Sequence, residues 1–308
     1  MPESKPKKIA WGSVSFPIPQ NWELALYKRF KRKIWHLEIE DEYSLRIEVE
    51  WIEREEKQLD VETILERYKK ATHRISDQAA NKQTVDGLPA DWTATYYTFV
   101  ESEKAKSGNG LETIHHGLVT AFCIPPDKRF FCFVLFHFHP DNTDENPARM
   151  IRSFASGFQR HTGELIPWQM FDVAFKLPRD FLLENTSFGI GSKLTVFRWR
   201  MRRFYLWHFS CAHMFLKDTS PEKWISGFLN DFQKIRGIVF EPGPAGTVRW
   251  RRKKRHVFGH RDELSRGCLK YEIRYFHDRK RDRLVLWVFN YRKPDDLNQL
   301  PQPFMFAK

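Results

Sequence analysis

The sequence has few cysteines and none of the short motifs that mark the common catalytic sites. Its four cysteines are dispersed without a Cys-x-x-Cys pair: Cys123, Cys132, Cys211 and Cys268. This spacing argues against zinc knuckles and is typical of reduced thiols. No Gly-x-Ser-x-Gly elbow occurs, and the Gly-x-Gly at Gly189 and Gly191 lacks the third glycine of a phosphate-binding loop. The sequence therefore predicts no cofactor and no catalytic nucleophile.

Long apolar runs are missing as well. Apolar residues make up 41% of the 308 residues, but no run approaches the roughly 20 residues that a membrane helix needs. Residues 1–8 are polar and basic, with no apolar segment after them, so no secretory signal is visible. We expect a cytoplasmic protein without membrane insertion, and its oligomeric state stays open.

Three landmarks occur twice along the chain, in the same order and about 160 residues apart. Each pair shares residue types at matching positions: 14–22 with 173–181, 60–62 with 220–222, and 87–91 with 243–246. Such self-similarity indicates a duplicated domain. We therefore predict two tandem repeats, at residues 9–165 and 169–308, each near the usual domain size.

Strand and helix patterns are similar in the two repeats. Leu45, Ile47 and Val49 alternate with charged residues, as in half-buried antiparallel strands. An amphipathic helix follows, with Asp60 as N-cap in the first repeat and Ser220 in the second. This order predicts an α+β fold in which amphipathic helices cover a mainly antiparallel sheet.

The same elements resemble a known family. The proline, polar pair and aromatic after the first strand, the amphipathic helix and the Gly-x-Pro-Ala turn at Gly87–Ala90 are similar to those of PsbP-like domains. That family includes photosystem extrinsic subunits and Ran-interacting Mog proteins. The resemblance implies a small sandwich used mainly for docking onto other macromolecules, and it implies no catalytic residues.

Positive charge is concentrated in the second repeat. Residues 170–308 hold 28 Lys and Arg against 14 Asp and Glu, whereas the whole chain carries +12. Alternation within the predicted strands would place many of these cations on one sheet face, as an anion-binding set: Arg198, Arg200, Arg202, Arg249, Arg251, Lys253 and Arg255. Aromatic residues beside them could stack on bases: Trp199, Trp250 and Tyr271.

Three interpretations of this basic face are open. It is a solvated surface, or it docks an acidic protein, or it binds nucleic acid by neutralising phosphates. Like charges on neighbouring strands destabilise a sheet, which favours an anionic partner. We expect a non-enzymatic docking protein with an acidic macromolecular partner, and an RNA- or single-stranded DNA-binding protein is the alternative.

Histidines form a second candidate cluster, in the first repeat. If the hairpin that follows the Gly-x-Pro-Ala turn is centred on Asp127, then His115, His137 and His139 share one face. Three imidazoles at such a position could ligate zinc, which makes a metal-dependent enzyme the least favoured hypothesis. A register shift of one residue would disperse them.

Overall fold

A computed structural model of the chain describes residues 6–30, 34–54, 56–104, 111–138, 145–233, 241–242, 248–249, 270–300 and 305–306. The chain divides into two compact units. The first comprises Met1–His161 and Gln169–Asp172, and the second comprises Thr162–Trp168 and Val173–Lys308.

The first unit is built around an antiparallel sheet of seven strands. Its strands and helices follow in chain order: β1 (Lys7–Trp11), β2 (Val14–Ile18), β3 (Glu23–Phe30), β4 (Ile34–Glu40), β5 (Leu45–Glu53), α1 (Val61–Gln78), β6 (Asn81–Thr84), β7 (Trp92–Lys104), β8 (Leu111–Cys123), β9 (Phe130–Phe138), α2 (Pro147–Gly157) and β10 (Gln159–Arg160). The spatial order in the sheet is β3-β4-β5-β9-β8-β7-β6. Strand β9 therefore lies beside β5, and helix α1 connects the two halves of the sheet.

Different elements cover the two faces of this sheet. Asp60 is the N-cap of helix α1, where its carboxylate accepts the N–H of Thr63. The helix packs Tyr68 against Phe131 and Phe133. On the other face lie the β1–β2 hairpin and α2, where Phe154 contacts Phe16 at 4.8 Å between ring centroids. Aromatic side chains are therefore buried on both faces of the seven-stranded sheet, where they form much of the core of the first unit.

The second unit contains a five-stranded antiparallel sheet. Its elements are β11 (Leu165–Met170, of which residues 165–168 belong to this unit), β12 (Val173–Pro178), β13 (Leu182–Gly189), β14 (Ser192–Trp199), β15 (Arg202–Ser210), α3 (Ala212–Leu216), α4 (Pro221–Gln233), β16 (Glu241–Pro242), β17 (Val248–Arg249), β18 (Lys270–Asp278), β19 (Arg283–Tyr291), a 3₁₀ helix (Pro294–Gln299) and β20 (Met305–Phe306). The order in the sheet is β13-β14-β15-β19-β18. Strand β19 lies beside β15, the third strand of the β13-β14-β15 meander. In the same way, β9 of the first unit lies beside β5, the third strand of the β3-β4-β5 meander.

The core of the second unit lies on both faces of that sheet. Helix α4 places Ile225 and Leu229 against a cluster that includes Ile273 and Leu286. On the opposite face, the indole of Trp168 in β11 contacts Phe197 at 4.6 Å between centroids. A strand therefore covers the face that α4 leaves open.

The predicted fold class is wrong. The structure is mostly antiparallel sheet with few and short helices, and it is not a helix-covered α+β sandwich. The sequence patterns identify none of β1, β3, β11 and β13, so they underestimate the strands. They also predict that helices alone cover the faces of the sheets, whereas the β1–β2 hairpin in the first unit and β11 in the second unit cover part of them.

Within the part of the chain that the structure describes, no helix has the length and apolarity needed to cross a membrane.

Candidate functional site

The second unit has an open cleft between α3 and the turn that joins β18 to β19. Its volume is about 710 Å³, which is within the range of small-ligand sites. Its polar lining consists of His213, Lys217, His277, Arg279 and Asp282, and Met214 and Leu216 supply apolar wall. We call this recess the cationic cleft.

Asp282 holds the two sides of the cationic cleft together. Its backbone carbonyl accepts the N–H of Ala212 at 3.0 Å, and its Oδ1 accepts the N–H of His213 at 2.7 Å. The other carboxylate oxygen is hydrogen-bonded to Nδ1 of His213. The hydrogen bond from His213 lowers the pKa of Asp282 below its usual value. The start of α3 is therefore fixed to the β18–β19 turn.

A second carboxylate shapes the turn itself. Asp278 ends β18, and its Oδ1 accepts the backbone N–H of Lys280 at 3.0 Å and of Arg281 at 3.1 Å. This arrangement is an Asx-type turn, which stabilises the local backbone. The side chains of Arg279, Lys280 and Arg281 are exposed on it.

The electrostatics of the cationic cleft favour an anion. Within the described residues, no salt bridge joins Lys217 or Arg279 to a carboxylate, and both side chains are exposed. Burial, followed by the charge of Arg279, lowers the pKa of His277. The carboxylate of Asp282 is already paired with His213. The cleft therefore offers the two cations Lys217 and Arg279 and the imidazole of His277 to a ligand, whereas His213 is engaged by Asp282.

Arg198, Arg200 and Arg202 of the predicted anion-binding set, here called the arginine ladder, do not lie on one face. Strand β14 ends at Trp199, and the chain turns at Arg200, whose φ is +54°. Trp199 lies opposite Arg202, and Arg198 lies opposite Arg203, so the alternation assumed from the sequence is broken at the turn. Arg198 and Arg200 are exposed and Arg202 is half-buried.

Two arginines of this hairpin are held by carboxylates of the same unit. Nε of Arg202 donates to Oδ2 of Asp296 at 2.6 Å. Arg203 donates from Nε and Nη2 to the two carboxylate oxygens of Glu184, at 2.5 and 2.9 Å. The side chains of Arg202 and Arg203 contribute to the fold, whereas Arg198 and Arg200 of the same hairpin are exposed.

Two of the predicted stacking residues are buried. Trp199 is 5% exposed, lies parallel to Phe181 with 5.6 Å between centroids, and donates its indole N–H to Asp180. Tyr271 is 4% exposed and belongs to the core beneath α4. Neither ring offers a face to a nucleic-acid base.

The rest of the predicted anion-binding set has little or no described structure. The backbone of Arg249 lies in β17 opposite Glu241. The side chain of Arg249 and the whole of Trp250, Arg251, Lys253 and Arg255 lie outside the described residues.

The predicted register of the histidine hairpin is shifted by one residue. His137 lies opposite Leu118, whereas the sequence prediction required Gly117 at that position. Nε2 of His137 is hydrogen-bonded to Glu48 at 2.9 Å. His115 lies in β8 with no described side chain, and His139 lies outside the described residues. Among described side chains, no three His, Cys, Asp or Glu residues converge as metal ligands.

The sequence prediction missed the residues of the cationic cleft. A signal was available in the run Arg279-Lys280-Arg281, which follows a β-type segment and precedes an apolar one. A cationic hairpin turn is exposed by its geometry, because its side chains have no neighbouring strand. Lys217 and His213 carry no such signal, since only the fold brings α3 to this turn.

Comparison with known proteins adds no family. No family model matches the chain, and no curated protein shows significant similarity to it. The resemblance to PsbP-like domains therefore stays a prediction.

Proposed function

We propose that this protein is a non-enzymatic docking protein that binds an acidic macromolecular partner through the cations of its second unit. The cationic cleft is the centre of the proposed surface. The observation that carries the proposal is the grouping of Lys217 and Arg279 around a recess whose acidic residue, Asp282, is already paired with His213.

The charge distribution supports an acidic partner. Residues 170–308 have twice as many cationic as acidic side chains, 28 against 14. A field of one sign accelerates encounter with oppositely charged partners and selects among them. Exposed Lys280 and Arg281 extend that field beyond the cationic cleft itself.

A second cationic patch lies at the opposite end of the same sheet. The turn after β14 exposes Arg198 and Arg200, whereas the β18–β19 turn lies beyond Ser210, at the far end of β15. Strand β15 has nine residues, so its two ends are eight steps apart, which is about 26 Å at roughly 3.3 Å per residue. A macromolecule could contact both patches, but a small ligand could contact only one.

Nucleic acid has less support than an acidic protein. Single-strand binding proteins combine cations with exposed aromatic rings, and Trp199 and Tyr271 are buried. We retain nucleic acid as an outcome of the experiment rather than as a second proposal.

The test measures binding of labelled probes by fluorescence anisotropy over a series of NaCl concentrations. The probes are a glutamate-rich peptide, single-stranded RNA and double-stranded DNA. We expect the peptide to bind the wild type, and Arg279→Glu with Arg281→Glu to weaken binding by about tenfold or more. The control is Lys69→Glu with Lys70→Glu on the exposed side of α1, which changes net charge equally.

Two results would contradict the proposal. In one, both double variants weaken peptide binding equally, which would mean that only net charge matters. In the other, RNA or DNA binds with a steep salt dependence while the peptide does not bind, and the protein would then be a nucleic-acid-binding protein.

A further inference from the structure

We infer that the cationic cleft recognises a phosphate monoester, carried by a phosphorylated side chain of the acidic protein partner. This inference rests on the proposed docking function and names the chemical group that the site would take. The geometry that carries it is the placement of donors from three separate elements around one recess.

Those elements surround the cationic cleft from different directions. Lys217 directly follows the end of helix α3, β18 supplies His277 and the turn supplies Arg279, whereas His213 is engaged by Asp282. A phosphate monoester has three terminal oxygens and a charge of about −1.5 to −2 at neutral pH. It can accept from several donors at once, which a planar carboxylate with one negative charge does less well.

The cationic cleft also has the size and wall for a side chain rather than an isolated ion. Its volume of about 710 Å³ exceeds the space that one phosphate fills. Met214 and Leu216 supply apolar surface next to the cations. Such a wall can contact the carbon atoms of the phosphorylated residue and its neighbours.

The backbone segments that carry the donors are held in position before any ligand arrives. His213 is fixed by two contacts to the Asp282 carboxylate, and the turn is fixed by Asp278. Leu216 packs against the core of the second unit, which positions the end of α3 just before Lys217. A site organised in advance loses less conformational entropy on binding.

A phosphodiester fits less well than a monoester. It carries one negative charge and has two terminal oxygens, so fewer donors of the cationic cleft are used. Recognition of phosphorylated motifs by clustered cations is a recurring mode of peptide binding.

The experiment compares two short peptides that differ in one residue, phosphoserine or glutamate, on the full-length protein by isothermal titration. Dimethyl phosphate serves as the phosphodiester probe. We expect the phosphoserine peptide to bind about tenfold more tightly than the glutamate peptide, and dimethyl phosphate to give no saturable signal. Arg279→Ala and Lys217→Ala should each weaken phosphopeptide binding by about tenfold.

Lys280→Ala is the matched control. Lys280 lies in the same turn and carries the same charge as Arg279, but it does not line the cationic cleft. We expect its affinity for the phosphopeptide to stay within about twofold of the wild type. An equal loss in Lys280→Ala and Arg279→Ala would overturn the inference, because it would show dependence on net charge alone.

The outcomes separate this inference from the proposed function. Equal affinity for the phosphoserine and glutamate peptides would overturn the phosphate preference and leave the docking function intact. Failure of the glutamate-rich peptide to bind, with the phosphopeptide still bound at the cationic cleft, would contradict the general acidic partner and support the phosphate site. Failure of both would contradict both proposals.

Discussion

Arg202 donates a hydrogen bond from Nε to Oδ2 of Asp296 at 2.6 Å. The same carboxylate oxygen accepts the backbone N–H of Arg292 at 2.9 Å and of Lys293 at 3.0 Å. The buried carboxylate of Asp296 therefore fixes the beginning of the 3₁₀ helix Pro294–Gln299 to Arg202, the first residue of β15. The arginine belongs to the scaffold of the second unit, whereas its sequence context predicted a surface role.

Removing this carboxylate is expected to destabilise the protein. Asp296→Asn should lower the free energy of unfolding by about 2 kcal/mol, because charge-assisted hydrogen bonds are lost. Asp295→Asn is the control, since the neighbouring side chain is exposed. Urea unfolding at neutral pH measures both, and equal stability of the two variants would contradict the assigned role.

The same pair predicts a pH dependence. Burial alone would raise the pKa of Asp296, but the hydrogen bonds from Arg202 and the two backbone N–H groups lower it below the ordinary 3.8. A lowered folded-state pKa stabilises the fold above the unfolded value, and this contribution is lost as the pH falls through the folded value. The difference between wild type and Asp296→Asn should therefore shrink below pH 3.8.

Trp199 is expected to act on stability rather than on nucleic-acid binding. Its indole is buried against Phe181 and donates to Asp180, so Trp199→Ala should destabilise the protein by about 3–5 kcal/mol. Chemical unfolding and an RNA mobility shift test this together. A variant that keeps its stability but selectively loses an RNA shift would show that the ring is a stacking platform.

The arginine ladder illustrates what a period-two pattern can and cannot predict. The alternation of Arg198, Arg200 and Arg202 is real in the sequence, but it crosses a hairpin turn that contains no glycine. Arg200 adopts the left-handed conformation there, and positive φ is uncommon outside glycine, asparagine and aspartate. The residue types at Arg200 and Met201 therefore gave no sign that β14 ends at Trp199.

His36 predicts a second pH dependence, in the first unit. Its ring nitrogens are each 3.0 Å from a carboxylate oxygen, one of Glu50 and one of Glu38. Burial would lower the pKa of His36, but these two carboxylates raise it above 6.5. A raised folded-state pKa contributes stability that is present below pH 6.5 and is lost as the pH rises through the folded value.

The variant His36→Gln tests that sign. The stability that it loses relative to the wild type should be largest below pH 6.5 and should fall at higher pH. His73→Gln is the control, because His73 is 77% exposed in its pair with Asp77 and such surface pairs contribute little. A loss that grows with increasing pH would contradict the assignment.

Arg46 of β5 forms a largely buried ion pair with Glu145, which lies two residues before α2. Arg46 is 1% exposed and lies 5.0 Å from the ring centroid of Trp22. Arg46→Met should destabilise the protein by about 3 kcal/mol, because Glu145 loses its ion-pair partner. Glu145→Met should cost less, because Oδ2 of Asp41 remains 3.6 Å from Nε of Arg46. The double variant should lose less than the sum, which a double-mutant cycle measures. Simple additivity would contradict the pairing.

One of the missing strands, β11, has a related physical cause. The β1–β2 turn uses Gly12 and Ser13, with φ of +53° and +83°, as a two-residue hairpin turn requires. The corresponding residues between β11 and β12, Phe171 and Asp172, adopt φ of +49° and +64° without any glycine. Since no turn signal marks that position, the sequence does not predict β11. The strands Val14–Ile18 and Phe130–Phe138 and the start of α2 at Pro147 were predictable, because short apolar runs mark the strands and a proline marks the start of the helix.

The most direct test of the account is a hydrogen-exchange footprint of the glutamate-rich peptide on the full-length protein. We predict protection of backbone amides at 211–217 and 277–283, the two segments that line the cationic cleft. Exchange in β4 and β5 of the first unit should stay unchanged. Protection confined to other parts of the chain, with none at either segment, would contradict the assignment of the cationic cleft as the docking site.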